Sequence, residues 1–349
     1  MINYKPLLIL LICLSLSIIL MWFFNQNKRL SQPDLQRFSF QSYQMGSMFT
    51  IVLYAENDSI ANLASSAAFD RIEELNRIMS DYMENSEINH LSQSSGSGTS
   101  VKISDLLFEV LKESIWVSEL TDGLFDVTAG PITQLWRSIR LMSEPEIPNE
   151  TELTNLLERT GYHNIRLDSK NQTVELVKEG MQLDLGGIAK GYAADAALTV
   201  LKQFGINSAL ADAGGDISVS NAPPKREYWE TIVIGNQSEN NPSYLILALN
   251  NMTAATSGDR YQYIEIDGLR YSHIINPKTG VGATDLIQAT VIAEKGAHAD
   301  ALSTALTLMD PKKGIELINS LKKTEAIIFF QSEEGHLEWR SEGFSKILK

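Results

Sequence analysis

The chain has 349 residues, of which 44% are hydrophobic and 21% are charged, a composition typical of a globular protein with ample core. Its formal net charge of −14 at pH 7 argues against DNA or RNA as a partner, because nucleic-acid phosphates are bound by clustered Lys and Arg. The single cysteine, Cys13, excludes an intramolecular disulfide and a cysteine-based zinc site.

The N-terminus carries an uncharged apolar run. Residues 6–24 read PLLILLICLSLSIILMWFF, which is long enough for one membrane-spanning helix and ends in aromatic residues that favour the bilayer interface. A cleavable signal peptide is the alternative, but the following FFNQNKRL contains no small-x-small cleavage site. We therefore expect residues 1–27 to form an uncleaved anchor and the polar residues 28–39 to form a tether.

Apolar residues at helical spacing predict four helices, at residues 60–80, 104–121, 188–205 and 297–309. Ser104 is the expected N-cap of the second helix, and Gly205 is expected to end the third. A short helix before Gly161 is also expected, after a proline-rich loop.

Runs of β-branched and aromatic residues predict strands between these helices, including residues 49–55, a meander that ends in MQLDLGG at 181–187, and a closing hairpin near 326–341. Helices and strands do not alternate strictly, which favours an α+β fold over a doubly wound one. We expect a single body with one mixed sheet over residues 40–349, because no clear linker divides it.

The segment LDLGGIAKGYAAD at 183–195 combines glycines and charges where a strand is expected to end at Leu185 and a helix to begin near Ile188. A helix N-terminus beside two glycines suits an anionic group, because free N–H groups and the helix dipole point at it. An ordinary strand–helix turn is the alternative, and the segment matches neither the P-loop nor the GxGxxG spacing. Asp195 receives no role in a site.

The segment HADALSTAL at 298–306 places Asp300, Ser303 and Thr304 on one helix face. One carboxylate, two hydroxyls and carbonyls from elsewhere would make an all-oxygen set that suits Mg²⁺ better than zinc or copper. The alternative is a helical turn with a dipole-favoured Asp and hydroxyls that bond back to the helix. His273, in YSHIINPKTG, is either a proton-transfer or phosphate-binding residue or a half-buried strand residue.

Eight such motifs follow one another in a fixed order, and together they resemble the ApbE family of FAD-dependent FMN transferases. The motifs occupy residues 45–47, 80–91, 122–136, 183–195, 213–216, 255–259, 271–280 and 299–306. The resemblance spans residues 40–335 and implies an ApbE, or T-fold-like, catalytic body behind the anchor.

The same resemblance implies a site for FAD and Mg²⁺. The implied FAD contacts are Met45, Tyr82, Leu124, Phe125, Asp126, Asp184, Lys190, His273 and Ile274. The implied metal ligands are the Gly187 carbonyl, the Asp300 carboxylate and the Thr304 hydroxyl, with Ser303 close by. Either His273 or Asp184 could serve as the base.

The implied reaction moves FMN from FAD to a Ser or Thr hydroxyl of a target flavoprotein and releases AMP. The target would be a flavoprotein, often a subunit of a membrane redox complex. The body would lie on the extracytoplasmic, periplasmic side of the bacterial cytoplasmic membrane. An FAD pyrophosphatase and a non-catalytic flavin-binding protein are the alternatives. Manganese or calcium in place of magnesium also stays open.

Overall fold

The computed structural model describes residues 34–234, 244–259, 262–332 and 335–349. The predicted anchor at 1–27 and residues 28–33 of the predicted tether lie outside these ranges. Within the described ranges, every helix is too short or too polar to cross a bilayer.

The four helices predicted from periodicity are confirmed, with small shifts at their ends. The helices of the described residues are α1 (Asp58–Met79), α2 (Glu87–Gln93), α3 (Asp105–Leu120), α4 (Gly130–Ile139), α5 (Glu150–Leu157), α6 (Ala189–Gln203), α7 (Gly296–Leu306) and α8 (Pro311–Ser320). Ser104 caps α3 by accepting a hydrogen bond from the Leu107 N–H at 3.2 Å. Gly205 follows α6 with φ +78°, a conformation that glycine adopts without strain.

The strands of the described residues are β1 (Gln36–Gln44), β2 (Ser47–Ala55), β3 (Val101–Lys102), β4 (Ile165–Asp168), β5 (Thr173–Leu176), β6 (Ala209–Ala213), β7 (Ile217–Val219), β8 (Trp229–Ile234), β9 (Tyr244–Leu249), β10 (Met252–Ser257), β11 (Tyr263–Ile266), β12 (Leu269–Ser272), β13 (Leu286–Ala293), β14 (Glu325–Ser332) and β15 (Gly335–Arg340). Eight of them form the main sheet, in the order β1-β2-β6-β7-β10-β13-β14-β15. β1 begins at Gln36, so residues 36–39 of the predicted tether lie in the edge strand.

The α+β class is confirmed, but the predicted mixed sheet is wrong. Each pairing along the main sheet is antiparallel. Short connections explain three of these pairings, because β1–β2, β6–β7 and β14–β15 are hairpins and a hairpin can join only antiparallel neighbours.

The predicted meander is also smaller than expected. β3, β5 and β4 form a three-stranded sheet, but residues 181–185 are not a strand. This segment pairs only at an isolated bridge between Gln182 and Ala129. The strand predicted to end at Leu185 is therefore wrong, because the neighbouring segment offers no continuous partner for it.

The helices that carry the motifs cover one face of the main sheet. Along β2, Ile51 and Leu53 pack toward these helices, whereas Val52 packs into a second cluster on the opposite face. The alternation follows from the two-residue period of a strand. Buried alanines on α6 and α7, such as Ala193 and Ala301, let the two helices lie close against the sheet and each other.

Candidate functional site

Two glycines set the spacing between α6 and α7. A Cβ atom added to Gly191 would lie 2.1 Å from the Gly296 carbonyl oxygen, and one added to Gly296 would lie 2.2 Å from the Gly191 carbonyl oxygen. No larger residue fits at either position without moving a helix. This close approach brings the turn at Gly186 and Gly187 before α6, called the GG turn below, alongside one face of α7. That face carries Asp300, Ser303 and Thr304 and is called its oxygen-bearing face.

The four residues predicted to bind a metal do lie together. A Cβ atom on Gly187 would be 3.1 Å from the Thr304 hydroxyl, so the glycine backbone and this side chain are in contact. Asp300 is only 3% exposed, and its carboxylate accepts a hydrogen bond from the Gly191 N–H at 3.0 Å. The Ser303 hydroxyl donates to the Asp300 carbonyl at 2.8 Å, which keeps it on the same face of α7.

Ser257, at the end of β10, completes this oxygen cluster. Its hydroxyl lies 2.8 Å from the Ser303 hydroxyl and 3.1 Å from the Thr304 hydroxyl. The cluster therefore combines a buried carboxylate with three hydroxyls and a glycine-lined turn.

Negative charge exceeds positive charge next to the cluster. The Lys190 ammonium lies 2.7 Å from the Asp216 carboxylate. Burial works against the ammonium, but the carboxylates of Asp216 and Asp300 outweigh it and raise the pKa of Lys190. Burial, together with the negative charge of Asp216, raises the pKa of Asp300 to about 7. Asp212 adds another carboxylate, whose pKa is raised by burial and by Asp216.

This arrangement fits a divalent cation bound mainly by oxygen. The carboxylates of Asp212, Asp216 and Asp300 lie near a single ammonium, that of Lys190. A bound cation would offset the negative charge of Asp216, which together with burial raises the pKa of Asp300. Across the described ranges, no three or more His, Cys, Asp and Glu side chains converge as a metal site. A cation would therefore combine the Asp300 carboxylate with hydroxyl and carbonyl oxygens, an all-oxygen set that suits Mg²⁺.

Asp184, a predicted base and FAD contact, is held in a hydrogen-bond network. One carboxylate oxygen accepts from the Gly186 N–H at 2.8 Å. The other accepts from the Thr133 hydroxyl and from the Arg137 guanidinium, both at 2.8 Å. Arg137 also pairs with Asp81. The Asp184 carboxylate therefore fixes the GG turn to α4.

Tyr82 lies at the surface beside this network. Its side chain is 76% exposed, and the Arg137 guanidinium carbon sits 4.3 Å from the centre of its ring. This cation–π contact leaves one face of the ring accessible. An exposed, electrostatically anchored aromatic ring is suited to stack on a flat heterocycle.

His273, the other predicted base, follows β12 and is partly buried. Its Nδ1 lies 3.0 Å from the Gln262 carbonyl oxygen, which can only accept, so Nδ1 carries the proton. Burial lowers the pKa of His273, and the nearby charges of Arg140 and Lys190 lower it further. The ring is therefore neutral at pH 7, with the lone pair on Nε2 available.

The remaining predicted FAD contacts fall in three places. Phe125 is buried, and one of its ring carbons would lie 3.3 Å from a Cβ atom on Gly187, so it borders the GG turn. Leu124, half-buried, precedes it. Met45 forms the β1–β2 turn with φ +48°. Ile274 is buried next to His273.

Asp126 is already engaged within its own loop. Its carboxylate accepts from the Thr128 N–H and hydroxyl at 2.8 and 2.6 Å and from the Tyr162 N–H at 2.8 Å. It holds the loop that carries Phe125, and its FAD contact stays a prediction.

The sequence profile of the ApbE family matches residues 45–328. The chain belongs to the ApbE family. Among curated relatives, it is 28% identical over 307 residues to the FAD:protein FMN transferase of Vibrio cholerae, covering 87% of this chain and 90% of that protein. It is 33% identical over 250 residues to the FAD:protein FMN transferase of Chlamydia trachomatis, covering 70% of this chain and 74% of that protein.

Solved structures of ApbE proteins share the fold. The flavin transferase ApbE from Vibrio cholerae superposes with a TM-score of 0.81 at 26% identity, over 90% of this chain and 100% of that one. The large sheet and its helices are thus those of the ApbE fold.

Several residues of this ApbE-family site were not assigned from the sequence. Asp216 and Ser257 lie inside the AGGD and ATSGD motifs, so those motifs were the available signal. Asp81 and Thr133 likewise lie inside the motifs at 80–91 and 122–136, whereas Arg137 lies just after the second motif and had no such signal, because its contacts depend on how α4 packs against the GG turn.

Proposed function

We propose that this chain transfers FMN from FAD to a Ser or Thr hydroxyl of an acceptor flavoprotein and releases AMP. The observation that carries the proposal is the contact between the GG turn before α6 and the oxygen-bearing face of α7, within a family whose curated relatives are named FAD:protein FMN transferases. Such a junction provides free N–H groups and oxygen ligands for a diphosphate and its cation.

The reaction is a displacement at phosphorus. The acceptor oxygen forms a bond to the FMN phosphorus while the bond from that phosphorus to the bridging oxygen breaks, and AMP leaves with that oxygen. The hydroxyl proton passes to a base on the enzyme. The chain must hold the reacting groups in line and offset negative charge on the diphosphate.

A Mg²⁺ ion would be held by the Gly187 carbonyl, the Asp300 carboxylate and the Thr304 hydroxyl, with Ser303 supporting Thr304 through Ser257. Bound there, it would neutralise charge on the diphosphate. Lys190 keeps Asp216 paired and adds positive charge beside the site. Phe125 and Tyr82 offer surfaces for the rings of FAD.

His273 is the better candidate for the base. Its Nε2 lone pair is free because Nδ1 is the protonated nitrogen, whereas the Asp184 carboxylate already accepts three hydrogen bonds. A base must have an available lone pair at the pH of the reaction.

Replacement of His273 by alanine is expected to lower the transfer rate by about 100-fold or more, the usual contribution of a positioned base. Because burial lowers the pKa of His273 below 6.5, wild-type activity should fall only as the pH drops below that value. The variant should lose this acidic limb. A rate–pH profile with the same acidic limb in both proteins would exclude His273 as the base.

The full chain incubated with FAD, Mg²⁺ and a candidate acceptor flavoprotein tests the activity itself. We expect a fluorescent acceptor band that survives denaturing electrophoresis, with one AMP released for each flavin attached. AMP release without a labelled acceptor would favour an FAD pyrophosphatase at the same site. FAD binding with neither product would favour a flavin-binding protein.

We also propose that residues 1–27 anchor the protein in the bacterial cytoplasmic membrane with its body on the periplasmic side. The uncharged run at 6–24 supports the anchor. Protease added to spheroplasts is expected to degrade the body. Protection of the body, under conditions that digest a known periplasmic domain, would contradict this orientation.

A further inference from the structure

Two short sequence segments share one pattern. GYAAD at 191–195 and GAHAD at 296–300 each place an aspartate four residues after a glycine. On a helix, residues four apart lie on the same face, so each glycine and its aspartate lie on one face of their helix. The first segment lies in the first two turns of α6, and the second begins α7.

The structure pairs the two segments reciprocally. Asp300 on α7 accepts a hydrogen bond from the Gly191 N–H of α6 at 3.0 Å, and Asp195 on α6 accepts one from the Gly296 N–H of α7 at 2.5 Å. Gly191 and Gly296 are in backbone contact between these two hydrogen bonds. The carbonyl oxygen of each glycine occupies the space that a Cβ atom on the other would need. We call these four residues the Gly–Asp clamp.

Asp195 supplies what the start of α7 lacks locally. Lys295, which precedes α7, makes no side-chain capping bond, and the N–H of Gly296 is satisfied by Asp195 instead. The Asp195 carboxylate also accepts from the Ser218 hydroxyl at 2.7 Å and the Thr253 hydroxyl at 3.1 Å. It thereby joins α6 and α7 to β7 and β10 of the main sheet.

We propose that Asp195 is a positioning residue for the metal–diphosphate site. Through the Gly–Asp clamp it holds the first turn of α7 against α6, which keeps Asp300 and Thr304 opposite Gly187. The proposal rests on the proposed function, since it concerns the same cation site, but Asp195 itself contacts neither the cation nor FAD.

The first test measures binding of Mn²⁺ alone to the full chain, by the electron paramagnetic resonance signal of the free ion. Asp195→Ala is expected to weaken binding by about 10- to 100-fold, as loss of an outer-shell partner does in metal sites. Asp195→Asn keeps an acceptor for the Gly296 N–H and should bind Mn²⁺ nearly as well as wild type. Wild-type affinity in Asp195→Ala would overturn the proposal.

Asp310→Ala is the matched control. Asp310 caps α8 by accepting from the Lys313 N–H at 3.1 Å, so its loss removes a capping carboxylate on the same side of the sheet but outside the clamp. Both alanine variants should lower the Tm, but only Asp195→Ala should weaken Mn²⁺ binding. Equal weakening in both would show general destabilisation and contradict a positioning role.

A second test does not depend on the metal. In EDTA, the Tm losses of Asp195→Ala and Asp300→Ala should not add, and the double variant should lose less than their sum, because each change already loosens the shared clamp. Additive losses would overturn the clamp. If the wild-type chain bound no Mn²⁺ and the Tm losses of the variants were still non-additive, the proposed metal site would be contradicted and the clamp would stand.

Discussion

Replacement of Asp300 by alanine is expected to lower the rate of FMN transfer by more than about 100-fold, because even outer-shell changes cost metal sites about 10- to 100-fold. The Asp300 carboxylate is buried against the Gly191 N–H, one helical turn before Thr304, while the neighbouring Asp216 is paired with Lys190. The variant would leave mainly neutral oxygens at the cation site. The rate of acceptor labelling at several Mg²⁺ concentrations measures this effect.

Two further variants separate charge from structure. Asp300→Asn keeps an acceptor for the Gly191 N–H but loses the negative charge, so it should fold well and still transfer slowly. Asp70→Ala removes an exposed carboxylate from α1 and should label the acceptor at the wild-type rate. Transfer by Asp300→Ala at the wild-type rate, or wild-type transfer in EDTA, would exclude Asp300 as a metal ligand.

Replacement of Arg137 by alanine is expected to lower the free energy of unfolding by about 2–3 kcal/mol. Loss of one partner from a buried ion pair costs about 3–5 kcal/mol, and partial exposure reduces this figure. The Arg137 side chain is 23% exposed, and it bridges Asp81 and Asp184, whose side chains are 7% and 11% exposed. Without it, two largely buried carboxylates face each other unpaired.

The pH dependence of this loss has a definite sign. Burial, and then the charge of Asp184, already raise the pKa of Asp81, and loss of Arg137 should raise it further. A carboxyl group with a raised pKa adds stability at low pH and loses it as the pH rises through that pKa. The difference between wild type and Arg137→Ala should therefore be largest near pH 7 and shrink toward pH 4.

Urea unfolding of the full chain measures both effects. Arg137→Lys should recover less than half of the loss, because one ammonium cannot form the forked contacts of a guanidinium with two carboxylates. Arg71→Ala is the control, since Arg71 pairs with Glu74 on the surface of α1 and should cost under about 0.5 kcal/mol. Equal losses in Arg71→Ala and Arg137→Ala would contradict a special role for the buried network.

Local sequence patterns predicted the parts of the fold that local interactions determine. The helix at Asp58–Met79 follows from the spacing of its apolar residues, and the start of α3 follows from the Ser104 cap. Asp300, Ser303 and Thr304 share a face because of helical geometry alone. The family motifs added the partner segment around Gly187.

Features that depend on tertiary packing were missed or misread. A strand was expected to end at Leu185, but its neighbour pairs at one bridge only. Asp195 received no role, because the three groups that donate hydrogen bonds to its carboxylate lie on α7, β7 and β10. These groups meet only after the sheet has assembled. Arg137 lies 47 residues from Asp184 in sequence, so no local pattern indicates their contact.

The central claim is that the GG turn before α6 and the oxygen cluster on α7 form one site for a cation and the diphosphate of FAD. The most direct test is the position of Mn²⁺ anomalous scattering in crystals of the chain grown with Mn²⁺ and FAD. We expect one strong peak bounded by the Gly187 carbonyl, the Asp300 carboxylate and the Thr304 hydroxyl, next to the diphosphate. A diphosphate bound elsewhere, or a peak that does not contact Asp300, would contradict the claim.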